Sequence, residues 1–516
     1  MIHYLVQQFT MIRVSMNHNS FLCIESDVRY VAETNNPTSS QEDQITLEST
    51  PVTFAGAVTI LAVTLLLLIV GSLVFDVDIA ILLMLASMFT STVYIYYYGF
   101  SWQEMLENGA IPMLSRAMGA FLILLIVGIL IGTWMISGTI PYLMYIGLQV
   151  LSPSIFLVAT AIILSAGALV TGTSYGAGAT FGVALMGVAE GLGIPLAPTA
   201  GAVVMGAYFG DKLSPISDTT ILASAIAEDD LIDHIRSMLY TTIPGYILGL
   251  GVFLVIGLQM GGGSVQSENI SAILQALQQT FNLTPILLIP PLLLLGLSYL
   301  RYPTVPVLWV SIFAGVPFAL FQGYGIAEIA QVMASGPEIS TQVDALNELL
   351  TRGGVDFLAG VVSVLFFAYL FAGQLEYTRT FEIITSTIRD NFVGDDPGKL
   401  VFSTSITGLL TGLGTGNSYL SEIVPGIMYK DSYDNLGVSR SVLSRTLEDS
   451  GTVWVPLIPW SAAGLYFSSI LGVPTLSYAP WAIMNYTGFM IAWIYAFTDT
   501  FIFDQGTMDG TISTDD

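Results

Sequence analysis

The chain has 516 residues, of which 53% are hydrophobic and only 10% are charged. A soluble protein would carry roughly a quarter charged residues, so this composition excludes an ordinary soluble protein and indicates a polytopic helical membrane protein. The 13 basic residues face 38 acidic ones, and the net charge of −25 argues against nucleic acid as a partner. The single cysteine, Cys23, excludes an intrachain disulfide and a cysteine-based metal site.

The acidic balance also favours a source that lives in high salt. Lysine is scarce, since only Lys212, Lys399 and Lys430 occur. At high ionic strength carboxylates keep their hydration while their mutual repulsion is screened. We therefore expect a halophilic organism, and acidic tails on an ordinary membrane protein are the alternative.

The first half of the chain contains a series of apolar runs behind a polar start. Residues 1–50 are predicted to be a disordered tail because they are polar. They contain no long apolar segment, so they do not resemble a secretory signal. A first membrane unit is predicted at 51–260, with runs near the roughly 20 residues that a spanning helix needs. Its elements are expected at 52–75, 78–99, 117–137, 153–170, 178–190, 195–209, from 219 onward, and 240–260.

The second half repeats this order after a polar linker at 261–283. A second membrane unit is predicted at 284–503, and 504–516 is a polar tail. Its elements are expected at 284–300, 304–322, 355–373, on both sides of a glycine-rich stretch at 411–418, around a helix break at 448–452, and at 478–503. A shift of about 240 residues places Gly172 on Gly412 and brings Asp211 within two residues of Asp449.

This repetition predicts an inverted repeat. Each unit has three spans, a glycine-tipped piece, a broken helix and a last span. If the glycine-tipped piece is a re-entrant hairpin, each unit crosses the membrane five times, and an odd number of crossings inverts the second unit. We therefore expect an all-α membrane protein with about ten crossings, two hairpins and helices broken at mid-membrane. Accidental spacing among similar apolar segments is the alternative.

The two predicted breaks contain polar groups that are costly at membrane depth. Glycine and proline open the backbone there and free carbonyl groups, and oxygen ligands suit Na⁺ or H⁺. The candidate ion ligands are Asp211, Asp218, Ser214, Ser217, Thr219, Thr173, Ser174, Asn417, Ser418, Glu422, Glu448, Asp449 and Thr452. The candidate hairpin and break glycines are Gly172, Gly176, Gly210, Gly412, Gly416 and Gly451.

Several of these residues also have simpler explanations. Asp211 and Asp218 could cap a helix at the membrane surface, and Lys212 could snorkel or pair with a carboxylate. Glu448 and Asp449 follow Arg445 closely, so a plain salt bridge competes with an ion site. A buried structural role is the expected one for His234.

Five motifs resemble the NhaC family of Na⁺/H⁺ antiporters over roughly residues 50–500. They are Gly206–Thr220, Gly172–Gly176, Gly191–Pro195, Ser444–Asp449 and Pro456–Trp460. The resemblance implies a multi-pass protein of the plasma membrane with a scaffold, a mobile transport region with paired hairpins, and often a homodimer. The sequence departs from the family pattern at Ile221, Tyr175 and Ser461, where asparagine, tryptophan and asparagine are common.

We therefore expect a secondary transporter, not an enzyme, that exchanges Na⁺ for H⁺ by alternating access. Na⁺ and H⁺ would compete for Asp211 and Asp218, with Glu448 or Asp449 as the counterpart in the second half, and no cofactor is expected. A Na⁺- or H⁺-coupled exchanger of an organic acid such as malate or lactate is the main alternative. An intramembrane aspartyl protease is a remote one, because its Gly-x-Gly-Asp signature is absent at Asp211.

Overall fold

A computed structural model describes residues 52–260, 267–341 and 343–504, and its regular elements there are helical. The all-α prediction is confirmed, whereas the predicted tails at 1–50 and 505–516 lie outside these residues. The helices are α1 Phe54–Leu73, α2 Ile79–Tyr96, α3 Trp102–Ile136, α4 Thr139–Val150, α5 Pro153–Thr171, α6 174–191, α7 Leu196–Lys212, α8 Asp218–Ala227, α9 Leu231–Met260, α10 Ser267–Thr280, α11 Pro285–Tyr299, α12 Thr304–Phe321, α13 Ile326–Ser335, α14 Asp344–Leu350, α15 Val355–Tyr377, α16 Thr380–Ile388, α17 Pro397–Thr415, α18 Ser418–Asn435, α19 Arg440–Gly451, α20 Ala462–Leu471 and α21 Ile483–Thr498.

Seven of the helices in the described residues are long and apolar enough to cross a membrane: α1, α2, α3, α5, α9, α12 and α15. Counting the bent pairs α10 with α11 and α19 with α20 as single spans raises the number to nine. A polytopic membrane protein is confirmed, and the ten crossings stay a prediction. The shortfall comes from helices such as α7 and α21, which have 17 and 16 residues.

Some helices extend beyond the sequence prediction or were missed by it. The third span, expected at 117–137, begins already at Trp102, because a polar first part with a π-helical turn at Leu106–Ala110 continues into the apolar part. Gly138 then takes the left-handed backbone, with φ of 83°, and α4 follows it. The predicted linker at 261–283 contains the amphipathic helix α10 in its described part. The polarity of these segments concealed their helical structure.

The two glycine-tipped hairpins turn at Gly172 and Gly416. Both residues have the left-handed backbone, with φ of 64° and 61°, which glycine adopts at little cost. Of the two candidate glycines in the second hairpin, Gly416 is the tip, whereas Gly412 lies inside α17. The tips are 244 residues apart (416 minus 172), and so are Ser217 and Ser461, which precede α8 and α20.

This spacing corrects the predicted alignment of the two halves. With a shift of 244 residues, Asp211 corresponds to Val455, and Glu448 and Asp449 correspond to Val204 and Met205. The buried acids of the two halves are therefore not equivalent positions of a repeat. The elements recur in the same order, while the inverted orientation of the second half stays a prediction.

The second helix break lies later than predicted. Helix α19 continues through Gly451, and the break covers 452–461, with a 3₁₀ turn at Val455–Leu457 and a 42° bend. Pro456 and Pro459 end the regular helix because proline cannot donate a backbone hydrogen bond. Glu448 and Asp449 are thus held on a regular helix, which fixes their side chains more firmly than a loop would.

Close packing of small residues holds α7 in place, and α8 makes contacts with the second half. Helix α7 packs on α5, and a Cβ atom on Gly210 would lie 2.1 Å from the carbonyl oxygen of Ser165. Helix α8 of the first half packs on α18 and α19 of the second. Small residues allow helix backbones to approach closely inside a membrane. The end of α7 and the start of α8 are in this way placed against α19.

Candidate ion-binding site

A cluster of buried charged side chains lies where α7, α18 and α19 meet. Asp211 and Lys212 come from the last turn of α7, Glu422 from α18, and Glu448 and Asp449 from α19. Their exposed fractions are 6% or less. Charged groups at membrane depth are costly and mark ion or proton pathways. The structure therefore joins predicted residues of both halves in one site.

An ion pair between Lys212 and Asp449 connects the two halves. The Nζ atom of Lys212 donates to Oδ1 of Asp449, and both side chains are at least 98% buried. Pairing Asp449 with Arg445 was one expectation, but the partner of Asp449 is Lys212. Arg445 instead donates from Nη2 to the carbonyl of Phe501 at 3.0 Å.

Asp211 is held by the start of the second hairpin arm. The backbone N–H of Ser174, the first residue of α6, donates to Oδ2 of Asp211 at 3.0 Å. A helix N-terminus carries partial positive charge and favours a carboxylate there. The side chain of Ser217 lies near the same carboxyl. Oδ1 of Asp211 is buried and has no hydrogen-bond partner.

Glu422 and Glu448 form a pair of fully buried carboxyl groups. Thr219 donates to Oε1 of Glu448 at 3.3 Å, and Thr452 donates to Oε1 of Glu422. The two carboxyl groups also interact with each other. Two carboxylates in contact cannot both stay charged without a cation between them. The pair is therefore a place for one proton or one small cation.

The cluster has more acids than bases. In the described part of the chain the buried charged side chains are four acids and two bases, Lys212 and Arg445. Each acid has one buried oxygen without a hydrogen-bond partner: Oδ1 of Asp211, Oε2 of Glu422, Oε2 of Glu448 and Oδ2 of Asp449. Buried charge is costly unless it is balanced. Two further positive charges, as protons or cations, would balance this site.

The acidic side chains of the cluster are not arranged as a metal site made only of carboxylates. Among residues 52–260, 267–341 and 343–504, no group of three or more His, Cys, Asp or Glu is arranged to hold a metal ion. One or two carboxylates together with hydroxyl oxygens such as that of Thr219 fit a weakly held Na⁺ better, since Na⁺ accepts hard oxygen ligands of any kind.

Asp218 lies at the exposed edge of the cluster and acts electrostatically on Asp211 and Glu422. It is exposed at the start of α8, and the hydroxyl of Tyr419 donates to its Oδ2 atom. Ser214 is directed elsewhere, because it donates to the carbonyl of Leu169 at 2.9 Å. No sequence pattern points to Tyr419, since its contact depends on how the second hairpin packs against α8.

The remaining candidates shape the hairpins. Thr173 and Asn417 precede α6 and α18, and Oδ1 of Asn417 accepts from the backbone N–H of Leu420 at 3.1 Å. Ser418 is half-buried at the start of α18. Gly176, Gly210 and Gly451 lie within helices. The cluster thus contains Asp211, Ser174, Ser217, Thr219, Glu422, Glu448, Asp449 and Thr452 from the predicted set.

A second ionic group ties the two halves together outside the spans. Glu228 follows α8 and contacts Lys430 of α18 at 2.7 Å and Arg440 of α19 at 2.5 Å. Arg440 also contacts Asp434 at 2.9 Å. The hydrogen bonds from Lys430 and Arg440 hold the pKa of Glu228 at about 2, well below its usual value.

We expect Glu228→Gln to lower the unfolding temperature slightly, and only at low salt. The folded pKa of Glu228 lies below its unfolded value of about 4.3, so its contribution is present above that value and is lost as the pH falls through about 2. Thermal unfolding of both proteins in detergent between about pH 3 and 7 checks this. A difference that grows toward low pH, or persists in high salt, would contradict an ionic role, since exposed pairs are screened.

Comparison with known proteins decides the family. A profile of the Na⁺/H⁺ antiporter family matches residues 206–499. The chain belongs to this family. It is 39% identical over 405 residues to the malate-2H⁺/Na⁺-lactate antiporter of Bacillus subtilis (strain 168), covering 78% of this chain and 86% of the relative.

Two further relatives in this comparison are antiporters as well. The Na⁺/H⁺ antiporter NhaC of Alkalihalophilus pseudofirmus (strain ATCC BAA-2126 / JCM 17055 / OF4) is 37% identical over 384 residues, covering 74% of this chain and 82% of the relative. The arginine/ornithine antiporter ArcD of Halobacterium salinarum (strain ATCC 700922 / JCM 11081 / NRC-1) is 36% identical over 448 residues, covering 86% and 90%.

Family membership confirms three predictions. The resemblance to NhaC proteins was correct, the protein is an antiporter and not an enzyme, and it is a multi-pass protein of the cell membrane. The intramembrane protease alternative is therefore discarded. A halophilic source and a homodimer stay predictions.

Proposed function

We propose that this antiporter exchanges Na⁺ for H⁺, with both ions competing for the buried carboxylates between α7, α18 and α19. The observation that carries the proposal is the charge balance of the cluster. Among the described residues the cluster has four buried acids, the buried bases are Lys212 within it and Arg445 one helical turn before Asp449, and each acid has one oxygen without a hydrogen-bond partner. A site with this excess of negative charge attracts cations and protons and repels anions.

Competition follows from the shared oxygens. A proton on the Glu422 and Glu448 pair removes the charge that would otherwise hold Na⁺. When Na⁺ approaches the carboxylates of Glu448 and Asp211, its positive charge destabilises the proton on the pair, and the proton leaves. Each ion thus lowers the affinity for the other by reciprocal linkage, which is the requirement for exchange.

Alternating access would come from movement around the two helix breaks. The breaks at 213–217 and 452–461 flank the cluster on the two halves. Short irregular segments between rigid helices absorb the backbone changes of a hinge. In this proposal the hairpins tipped by Gly172 and Gly416 move with the broken helices, and the site opens to each side in turn.

Exchange of an organic acid or amino acid is the second candidate. Relatives with 39% and 36% identity are named as malate/lactate and arginine/ornithine antiporters. The structural observation in its favour is Arg445, a fully buried guanidinium that lies over the ring of Phe503 and whose Nε and Nη1 atoms have no hydrogen-bond partner. Such a group could pair with a substrate carboxylate. Lys212 is less suitable for binding a substrate carboxylate, because it is already paired with Asp449.

The purified protein in liposomes with a trapped pH dye tests the proposal. We expect a Na⁺ pulse alone to move protons, and added malate, lactate or arginine to leave the rate unchanged. Proton movement that requires one of these organic compounds would favour the second candidate and overturn the first.

Asp211→Asn is expected to abolish Na⁺-driven proton movement while the protein still folds. The amide oxygen of asparagine can still accept from Ser174 N–H, so only the charge is removed. Asp390→Asn is the matched control, because Asp390 is exposed and pairs with Arg389 at 2.8 Å outside the cluster and the helices that form it. An Asp211→Asn variant that keeps the rate of the control variant would remove Asp211 from the site.

A further inference from the structure

A chain of three polar side chains leads from the loop after α8 toward the buried cluster. Asp229 is half-buried in this loop, and the hydroxyl of Ser444 donates to its Oδ2 atom at 2.9 Å. Nδ1 of His234 lies 2.9 Å from the same hydroxyl oxygen. His234 is fully buried, and its Nε2 atom has no hydrogen-bond partner.

The contacts of Ser444 define the tautomer of His234. Because the Ser444 hydroxyl donates its proton to the carboxylate, its oxygen is left to accept one from Nδ1–H of His234. Nε2 then carries a free lone pair inside the protein. Most buried polar atoms have a hydrogen-bond partner, whereas Nε2 of His234 has none, so it is available to accept a proton.

Lys212 is the charged group that reaches His234 from a neighbouring element. It acts electrostatically on the imidazole ring from α7 and is itself paired with Asp449. On the histidine's own helix, Asp233 pairs with Arg236, and Asp230 caps the helix by accepting from Ile232 N–H. The ring is therefore linked to Asp229 through Ser444 and also feels the charge of Lys212.

We infer that Asp229, Ser444 and His234 form the path by which protons pass between water and the buried cluster. The inference rests on the proposed Na⁺/H⁺ exchange and adds the route to it. A proton released by the cluster binds Nε2 of His234, and Nδ1–H passes its proton to the Ser444 oxygen. The original hydroxyl proton moves to Oδ2 of Asp229, which releases a proton to water, so that charge is conserved at each step.

The position of Asp229 suits the outer end of such a path. It is half-buried, and desolvation raises its pKa above the ordinary value. A raised pKa lies nearer to the pH of the surrounding water, which favours both uptake and release of a proton. Its neighbour Asp230 is exposed and does not contact Ser444.

The test compares two rates in liposomes that contain the full chain. The first is Na⁺-driven proton movement, and the second is exchange of radioactive Na⁺ for Na⁺ at equal pH on both sides, which needs no net proton transfer. Because positioned proton donors and acceptors contribute about a hundredfold or more to such transfers, we expect Ser444→Ala to slow proton movement about tenfold or more relative to Na⁺ exchange. Ser444→Thr keeps the hydroxyl and is expected to restore it.

Asp229→Asn is the second variant, with Asp230→Asn as its matched control. Asparagine at 230 still caps the helix, so only a charge outside the path is lost. We expect Asp229→Asn to slow proton movement and to shift its pH profile, and Asp230→Asn to do neither.

Three other results would contradict the proton path or the proposed exchange. Equal loss of both rates in Ser444→Ala would show a structural role, and unchanged rates would show that protons pass elsewhere; either result overturns the path. A wild-type protein that exchanges Na⁺ for Na⁺ without moving protons would overturn the proposed function itself, and the path with it.

Discussion

Replacing Glu448 by glutamine is expected to abolish Na⁺-driven proton movement. Glutamine has the same shape and still accepts from the hydroxyl of Thr219, but it cannot bind and release a proton. The change also lowers the excess negative charge of the cluster, so Na⁺ binds more weakly. Since positioned acid–base groups contribute about a hundredfold or more, we expect a loss of at least that size. The rate of fluorescence change of a trapped pH dye after a Na⁺ pulse measures it.

Glu422→Gln is expected to have the same effect, and the double variant no greater one. The two carboxyl groups act as one unit that holds one ion, and effects within such a unit are not additive. Glu376→Gln is the matched control, because Glu376 pairs with Arg116 at 2.7 Å with 39% of its side chain exposed. Multiplicative losses in the double variant would mean that the two glutamates act independently.

The second large effect is expected at the ion pair that joins the halves. Lys212→Gln leaves Asp449 charged and fully buried without its partner. Breaking a buried pair in this way typically costs about 3–5 kcal/mol. We expect a strongly lowered unfolding temperature in detergent and little folded protein. The neutral double variant Lys212→Gln with Asp449→Asn is expected to regain most of the lost stability, because no unbalanced charge remains.

An exposed pair provides the control for this effect. Arg116 and Glu376 have side chains that are 52% and 39% exposed, and removing such a pair changes stability by about 0–1 kcal/mol. Arg116→Gln should therefore unfold near the wild-type temperature. If the neutral double variant at 212 and 449 is as unstable as Lys212→Gln alone, the loss comes from packing and not from charge.

The sequence was sufficient for the membrane fold because its signals are local. Apolar runs predicted α1, α2 and α5 to within a few residues, and glycine at positions 172 and 416 indicated sharp turns. The acids in an apolar chain pointed to Asp211, Glu422, Glu448 and Asp449, which are all buried. The cost of burying charge is a property of the residue type, so it can be anticipated without coordinates.

What could not be predicted depends on contacts between distant parts of the chain. Lys212 and Asp449 are 237 residues apart, and no local pattern distinguishes this pairing from one between Asp449 and Arg445. Asp218 lies close to Asp211 in sequence, yet the break between α7 and α8 leaves it exposed beside Tyr419. The acidic residues predict the second break at 448–452, whereas Pro456 and Pro459 end the regular helix later in the chain.

The ion pair of Lys212 and Asp449 also has a consequence for biosynthesis. Asp449 is translated 237 residues after Lys212, a delay of roughly 10 to 50 s at ordinary rates of synthesis. During that time the lysine has no carboxylate from α19, and an ammonium group alone in the bilayer is costly. The last turn of α7 must therefore stay near the aqueous surface, or in the insertion machinery, until α19 arrives. The ion site is therefore completed only when α19 is inserted, while α20 and α21 still have to follow.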